Sequence, residues 1–260
     1  MTTLKVSAPA AYSYWSTKGD VQKIIKASDC IEGRPQTFGR SISQTSLFHC
    51  ESIQPIHTLS DKDFFYINKI LQTYPNLEFL SFHVAFCSPG YTAMDAYKTG
   101  PSLSSCEMMD NFLYNIKKIK KITGPTIEIL IENNNYFEEK IHAHVTTPAF
   151  LHSLIREGEV GFLCDIAHAK ITAANRGLNY PNYLHSLPLE SCRQLHLSKP
   201  LIEAGISQDS HDCPDSKEFE EALSLSTRYP SISNFTIEFY RNADLLSSAL
   251  GLLKRYLSNV

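Results

Sequence analysis

At 260 residues, 43% hydrophobic, 20% charged and 11% aromatic, the chain has the composition of an ordinary globular domain, which excludes collagen-like, low-complexity and disordered classes. A net charge of −3 offers no basic field to hold a nucleic-acid backbone, and the one dense basic run, Lys117 to Lys121, is short enough to be the solvated side of a helix. The seven cysteines are odd in number, scattered and never in a CxxC pair, so neither a disulfide framework nor a thiolate zinc site is implied and a reducing cytoplasm is expected.

Residues 1 to 15 lack the charged start and continuous apolar stretch of a signal peptide, and no later run approaches the roughly 20 apolar residues of a membrane span, so a cytoplasmic protein without a membrane partner is expected. Short apolar or β-branched runs bounded by turn residues read as buried strands at Leu4 to Ala8, Thr45 to Cys50, Leu77 to Ala85, Thr126 to Glu132, Val160 to Asp165, Arg193 to Leu197 and Phe235 to Phe239. Apolar residues three and four apart mark amphipathic helices over Asp61 to Thr73, Ser105 to Ile122, Thr146 to Glu157, Ser216 to Thr227 and Ala243 to Leu257. Ser105 with Glu107 behind it, and Thr146-Thr147-Pro148, have the form of helix starts. Residues 9 to 44 give no clean strand–helix pattern, and a seventh strand near Gly205 to Ser207 is only faintly marked. Strands alternating with helices predict parallel βαβ units, and seven or eight of them in about 250 residues predict one (β/α)8 TIM barrel over residues 1–260. A doubly wound open sheet is the rival architecture.

The carboxyl ends of these runs carry the chemistry. His49 closes the second, His83 the third, Glu132 the fourth, Asp165 the fifth, His196 the sixth and Glu238 the last. In a barrel these ends face one mouth. His168, three residues after Asp165, and the pair Asp209 and His211 add to the set, the latter two pointing the same way if extended. Carboxylates and imidazoles buried without partners cost several kcal/mol each, so a converging cluster of them needs cations. The set exceeds what one ion can coordinate and predicts two or three, of a metal that accepts mixed N and O ligands: iron, manganese or zinc. His142 and His144 form an HxH pair that reads as a solvated loop near the mouth, and His57, His152 and His185 read as surface or helix residues. No cysteine is bracketed by His and a carboxylate as a nucleophile would be, although Cys50, Cys87, Cys164 and Cys213 lie close to proposed ligands, where redox metals would threaten thiols.

With this ladder in view, the chain resembles the multinuclear non-heme iron-dependent oxidative enzymes, the family of the methanobactin-biosynthesis enzyme. PSLSSCEMMDNFLYNIKKIKKITGPTIEILIENNNYF resembles the family's proline-rich opening, long helix and strand ending in Glu-Asn. FLCDIAHAKITAANRGLNYPNYLHSLPLESCRQLHLS resembles its Leu-Asp-x-x-Asn to His-Leu-Ala-Gly succession, QDSHD its Asp-Thr-His, SFHVAFCS its Ser-Glu-His-Leu and SLFHCESI its His-Gly strand end. The chain departs from the family in having His168 where Asn is usual, Phe82 in place of an acidic residue and Lys199-Pro200 in place of a glycine, and the acidic-Asn end of the second strand is not recognisable.

The resemblance implies a xylose-isomerase-like barrel with metal ligation by His49, His83, Glu132, Asp165, His168, His196, Asp209, His211 and Glu238. It implies catalytic roles for Glu132, Asp209 and Glu238, and substrate contacts from Asn133 and Asn175. The implied cofactors are two or three iron ions in mixed ferrous and ferric states, with O2 as co-substrate. The implied reaction is oxidation of a residue, cysteine foremost, in a ribosomally made precursor peptide, often with a separate partner protein that holds the leader. A zinc phosphodiesterase like endonuclease IV and a sugar isomerase or epimerase using Glu132 and Glu238 as acid and base are the alternatives; a non-enzymatic metal-binding protein is a third. The acidic net charge disfavours the nuclease and, with it, a nucleic-acid partner.

Overall fold

A computed structural model of the chain describes residues 4–10, 17–39, 43–89, 101–137, 139–203 and 206–258. The strands in chain order are β1 (Lys5–Pro9), β2 (Cys30–Gly33), β3 (Thr45–Cys50), β4 (Phe79–His83), β5 (Glu128–Glu132), β6 (Gly161–Asp165), β7 (Cys192–Leu197), β8 (Lys199–Glu203), β9 (Ile206–Asp212) and β10 (Asn234–Ile237). All but β8 and β9 pair in parallel around a ring that closes where β10 meets β1. The molecule is therefore a (β/α)8 barrel, and the open doubly wound sheet is excluded.

Two expectations need correction. The barrel's second strand is β2, inside the stretch that gave no clean pattern. It is four residues long with Glu32 at its centre, so it offers no apolar run to read, yet it pairs with both β1 and β3. Gly33 allows the close approach to β3, since a Cβ there would lie 2.7 Å from the Phe48 ring. The faint strand near Gly205 to Ser207 is not a barrel strand. Gly205 lies outside the described residues, and β9 pairs antiparallel with β8 as a hairpin beside the barrel. The run Thr45 to Cys50 accordingly forms the third strand and Arg193 to Leu197 the seventh.

The helices are α1 (Lys18–Ala27), α2 (Asp61–Thr73), α3 (Ser105–Thr123), α4 (Glu139–His142), α5 (Pro148–Gly158), α6 (Ile166–Arg176), α7 (Tyr180–His185), α8 (Ser216–Arg228) and α9 (Ala243–Leu257). α3 starts at Ser105 as expected, capped by the residue before it: Ser104 Oγ accepts from Glu107 N–H at 3.2 Å while Glu107 accepts from Ser104 N–H at 2.8 Å. α5 has its proline in the first turn, as the Thr-Thr-Pro signal predicts. No helix among the described residues is long and apolar enough to cross a membrane.

Apolar side chains between the strands and the surrounding helices form the main core. Cys30, Leu47, Phe79, Leu130 and Leu163 form a separate buried cluster. Each stands two residues before a polar one on its own strand: Glu32, His49, Ser81, Glu132 and Asp165. The two-residue period of a strand puts both members of each pair on the same face, so these five form a floor inside the barrel with the polar set directly above.

Candidate metal centre

The shortest connection in the barrel builds one corner of the site. Asp165 ends β6 and is also the N-cap of α6, where its Oδ1 accepts the His168 N–H at 2.7 Å. That leaves Asp165 Oδ2 free and puts the His168 ring over the mouth, its Nδ1 2.9 Å from the Asn133 carbonyl and its Nε2 3.2 Å from Asp209 Oδ2. The hairpin, packed against α6, supplies the adjoining wall. His211, in β9, holds a left-handed φ of 45°, and its Nε2 lies 3.1 Å from Asp209 Oδ2 and 3.3 Å from Glu238 Oε2. A non-glycine residue in that region is strained and is commonest where a site over-determines it.

Glu132 is the hub. Its Oε2 lies 2.8 Å from His83 Nε2 and 3.3 Å from His49 Nε2, and its Oε1 lies 3.0 Å from His196 Nδ1. The two imidazole Nε2 atoms of His49 and His83 stand 2.8 Å apart, while the other nitrogen of His49 is held by Ser81 Oγ at 2.8 Å. Across the barrel, His196 Nε2 meets Glu32 Oε2 at 3.0 Å, and the Arg34 guanidinium bridges Glu32 and Glu238. Above these groups lies a cavity of about 350 Å³, its mouth flanked by Gln36, Glu51 and Tyr240, whose hydroxyl donates to Glu238 Oε1 at 3.1 Å. A larger hollow of about 780 Å³ lies near Leu4, Val6 and Ile232, but the ionisable groups there, Lys254 and Asp29, pair with each other at 2.6 Å.

Burial and mutual charge shape the titration of this set. Burial would raise Glu32, but Arg34 and His196 outweigh it and bring the carboxyl down to about 2. Burial also keeps His49 neutral, and with the Arg34, His83 and His196 charges it overrides Glu132 and lowers the imidazole to about 3. Asp165 goes the other way: burial, then repulsion from Glu238, Asp209 and Glu132, outweigh His168 and raise it to about 7. Despite its burial, His168 is pushed well up by Asp165, Asp209 and Glu132.

The structure thus brings all nine expected ligands to one mouth. Three groups, His49/His83/Glu132, Glu132/Asp165/His168 and Glu32/His196/Glu238, each have ligand atoms within 4.8 Å of one another. Ligand atoms about 2.1 Å from a shared ion stand roughly 3.0 to 3.5 Å apart, so most of the spacings above are those of a metal's donor set. Two buried carboxylate oxygens in it, Glu132 Oε2 and Asp165 Oδ2, accept no hydrogen bond. An orphaned buried carboxylate oxygen is costly, and a cation is the partner the surrounding nitrogens leave room for. The residues present therefore fit a metal centre.

Other expectations do not hold. Asn133 is not turned to the cavity: its amide donates to the Asp165 carbonyl and accepts from the Asp165 N–H, both at 2.9 Å, so it fixes the strand end instead. Asn175 is exposed and donates to the Tyr136 carbonyl at 2.7 Å, outside the cavity lining. His142 is 3% exposed rather than solvated, packed among Phe86, Tyr136 and Phe137, while His144 faces solvent, so the HxH pair does not act together. Among the cysteines near the ligands, Cys50, Cys87 and Cys164 are buried thiols, and burial pushes Cys50 up to about 12. Glu32, Arg34, Glu51, Gln194 and Tyr240 were not foreseen. The signal for Gln194 was available, since it shares the inward phase of β7 with His196.

Residues 52–242 match the family of RiPP precursor modification enzymes MbnB/TglH/ChrH, enzymes acting on precursors of ribosomally synthesised, post-translationally modified peptides. The chain belongs to that family. It is 31% identical over 99 residues to a UPF0276 protein of Acaryochloris marina, a match covering 38% of this chain and 35% of that protein. A UPF0276 protein of Caulobacter sp. (strain K31) is 28% identical over 109 residues, 41% of this chain and 39% of that one. The matched segment thus spans little more than a third of these relatives. Solved structures share the fold at low identity. D-psicose 3-epimerase from Clostridium cellulolyticum H10 gives a TM-score of 0.66 at 11% identity, covering 99% of both chains. A 3-keto-D-glucoside 4-epimerase from E. coli gives 0.64 at 12%, covering 97% of this chain and 100% of that one. A xylose isomerase domain protein from Planctomyces limnophilus gives 0.64 at 10%, covering 100% and 99%.

Proposed function

We propose that this enzyme oxidises a residue, cysteine foremost, in a ribosomally made precursor peptide, using iron and O2. The observation that carries the proposal is the pair of orphaned carboxylate oxygens, on Glu132 and Asp165, facing converging imidazoles in a chain of a peptide-modifying family. His49, His83 and Glu132 would hold one ion, and Asp165, His168, Asp209, His211 and the free oxygen of Glu238 would serve a second. Bound iron supplies the one-electron chemistry toward dioxygen that no side chain here can perform.

The protein's own part is placement and exclusion. A cavity of about 350 Å³ takes one side chain with its flanking backbone rather than a folded partner, which suits a peptide presented in extended form. The apolar floor closes the barrel beneath the carboxylates and keeps bulk water from reaching them from below. Tyr240 and His211, with ring centroids 5.1 Å apart, stand at the rim, where an incoming residue must pass. A separate protein that holds the peptide's leader is part of the same proposal, as is a cytoplasmic setting.

The test is co-expression with the Cys-containing small peptides encoded beside the gene, with and without neighbouring small proteins, read by intact mass. A mass change that requires iron, O2 and Glu132 is the expected result. The fold neighbours supply the second reading, because Glu132 and Glu238 both face the cavity as an epimerase's acid and base would. Turnover of keto-sugars with a divalent metal, and no mass change in any peptide, would replace the oxidative proposal with that one.

A further inference from the structure

Glu32, His196 and Glu238 gather ligand atoms as closely as the other two groups, but the bonds already made there differ. Glu32 Oε1 and Glu238 Oε1 both accept from Arg34 Nη2, and Nη1 of the same guanidinium holds Glu51 Oε1 at 2.7 Å. Glu32 Oε2 accepts from Gln194 Nε2 and from Thr236 Oγ1 at 3.3 Å, and lies 3.0 Å from His196 Nε2. Both oxygens of Glu32 are therefore supplied by the chain itself. The buried carboxylate oxygens that make no hydrogen bond, Glu132 Oε2 and Asp165 Oδ2, lie in the other two groups and face imidazoles.

Arg34 is 3% exposed and cannot lose its charge at any ordinary pH, so its guanidinium is a permanent cation set between two carboxylates. A divalent ion placed on the same carboxylates would stand a few ångströms from it, in a medium where like charges repel strongly. The arrangement is built by the strand end: Gly33 lets β2 lie close against Phe48, and the next residue turns inward across the mouth. Glu238 is shared, its Oε1 committed to Arg34 and Tyr240 and its Oε2 left facing His211.

We propose that Arg34 is a built-in cation standing where a metal ion would otherwise sit in the Glu32/His196/Glu238 group, so that the chain binds two metal ions and not three. This rests on the metal-dependent reading above, and the measurement separates the two.

The full chain is loaded anaerobically with ferrous iron, desalted and analysed for metal. A parallel cobalt(II) titration is followed by ligand-field absorption, and circular dichroism checks the fold. Two ions per chain are expected. Glu32→Gln should keep both, and Arg34→Gln should gain a third, with a new set of cobalt bands. A wild-type count of three, or of one, overturns the proposal, as does loss of an ion in Glu32→Gln or a folded Arg34→Gln that stays at two. Should Arg34→Gln not fold, the wild-type and Glu32→Gln counts decide alone. A count below one in the wild type removes the metal-dependent reading itself.

Discussion

Glu32 and Glu132 are both buried carboxylates on the inward face of a strand near the mouth, yet the protein treats them in opposite ways. Glu32 is enclosed by an arginine, a glutamine and a threonine that it keeps whether or not anything binds. Glu132 faces imidazoles, and its Oε2, although 2.8 Å from His83 Nε2, is left without a well-formed hydrogen bond. One side of the mouth is finished by folding, and the other leaves carboxylate oxygens that a bound cation would satisfy. A buried charge satisfied internally is costly to disturb, because removing one partner leaves the other uncompensated, whereas one left open carries an electrostatic need that a ligand can discharge.

The largest effects should separate these two roles. Glu132→Gln is expected to abolish peptide modification and to lower metal content by at least one ion per chain, while the metal-free protein melts at the wild-type temperature or above it. Glu32→Ala should do the reverse, lowering stability by about 3 to 5 kcal/mol because Arg34 loses a buried partner. Chemical denaturation of the metal-free proteins together with metal analysis checks both. Equal loss of metal in the two variants would erase the distinction.

His168 tests the open side more finely. Its Nδ1 is fixed by the Asn133 carbonyl and its Nε2 faces Asp209, so it is held in place independently of any ion. His168→Asn, which restores the residue usual in the family, should weaken metal affinity by at least about 10-fold with little change in fold. A large fall in melting temperature with metal content unchanged would count against a ligand role.

Most of the open side was legible in the sequence, and most of the closed side was not. His49, Glu132, Asp165 and His196 each close an apolar run long enough to be seen, and the alternation of strands tells which way they face. β2 has no such run, because a four-residue strand that carries a glutamate and ends in glycine gains its place from pairing on both sides rather than from its own propensity. Glu32 and Arg34 were hidden with it. The hairpin misled for a related reason: β9 bears the expected ligands Asp209 and His211 although it lies outside the barrel, so the position of the site residues and the order of the barrel strands ceased to coincide. The family resemblance implies a substrate contact for Asn133, and only the fold shows its amide spent on Asp165.

The smallest expected effect concerns pH. Asp165 titrates near 3.8 when unfolded and about 7 in the folded, metal-free protein, where burial and the neighbouring carboxylates disfavour its charge. A carboxyl raised in this way contributes stability that is complete below about pH 3.8 and is lost as pH climbs through about 7. Glu32 and His49, both lowered, act in the opposite sense, losing stability as pH falls from their unfolded values of 4.5 and 6.5. The total curve therefore mixes signs, and the Asp165 contribution is isolated by difference. Metal-free wild type should lose stability relative to Asp165→Asn between about pH 4 and 7, and the gap should level off above that, since the amide cannot ionise but still caps α6 through its oxygen. Metal-loaded wild type should show no such decline, because a cation beside Oδ2 favours the ionised form that folding alone resists. A flat difference in the metal-free pair would mean that Asp165 is already charged and satisfied at neutral pH, and the open side of the mouth would then be closed by the chain as the Glu32 side is.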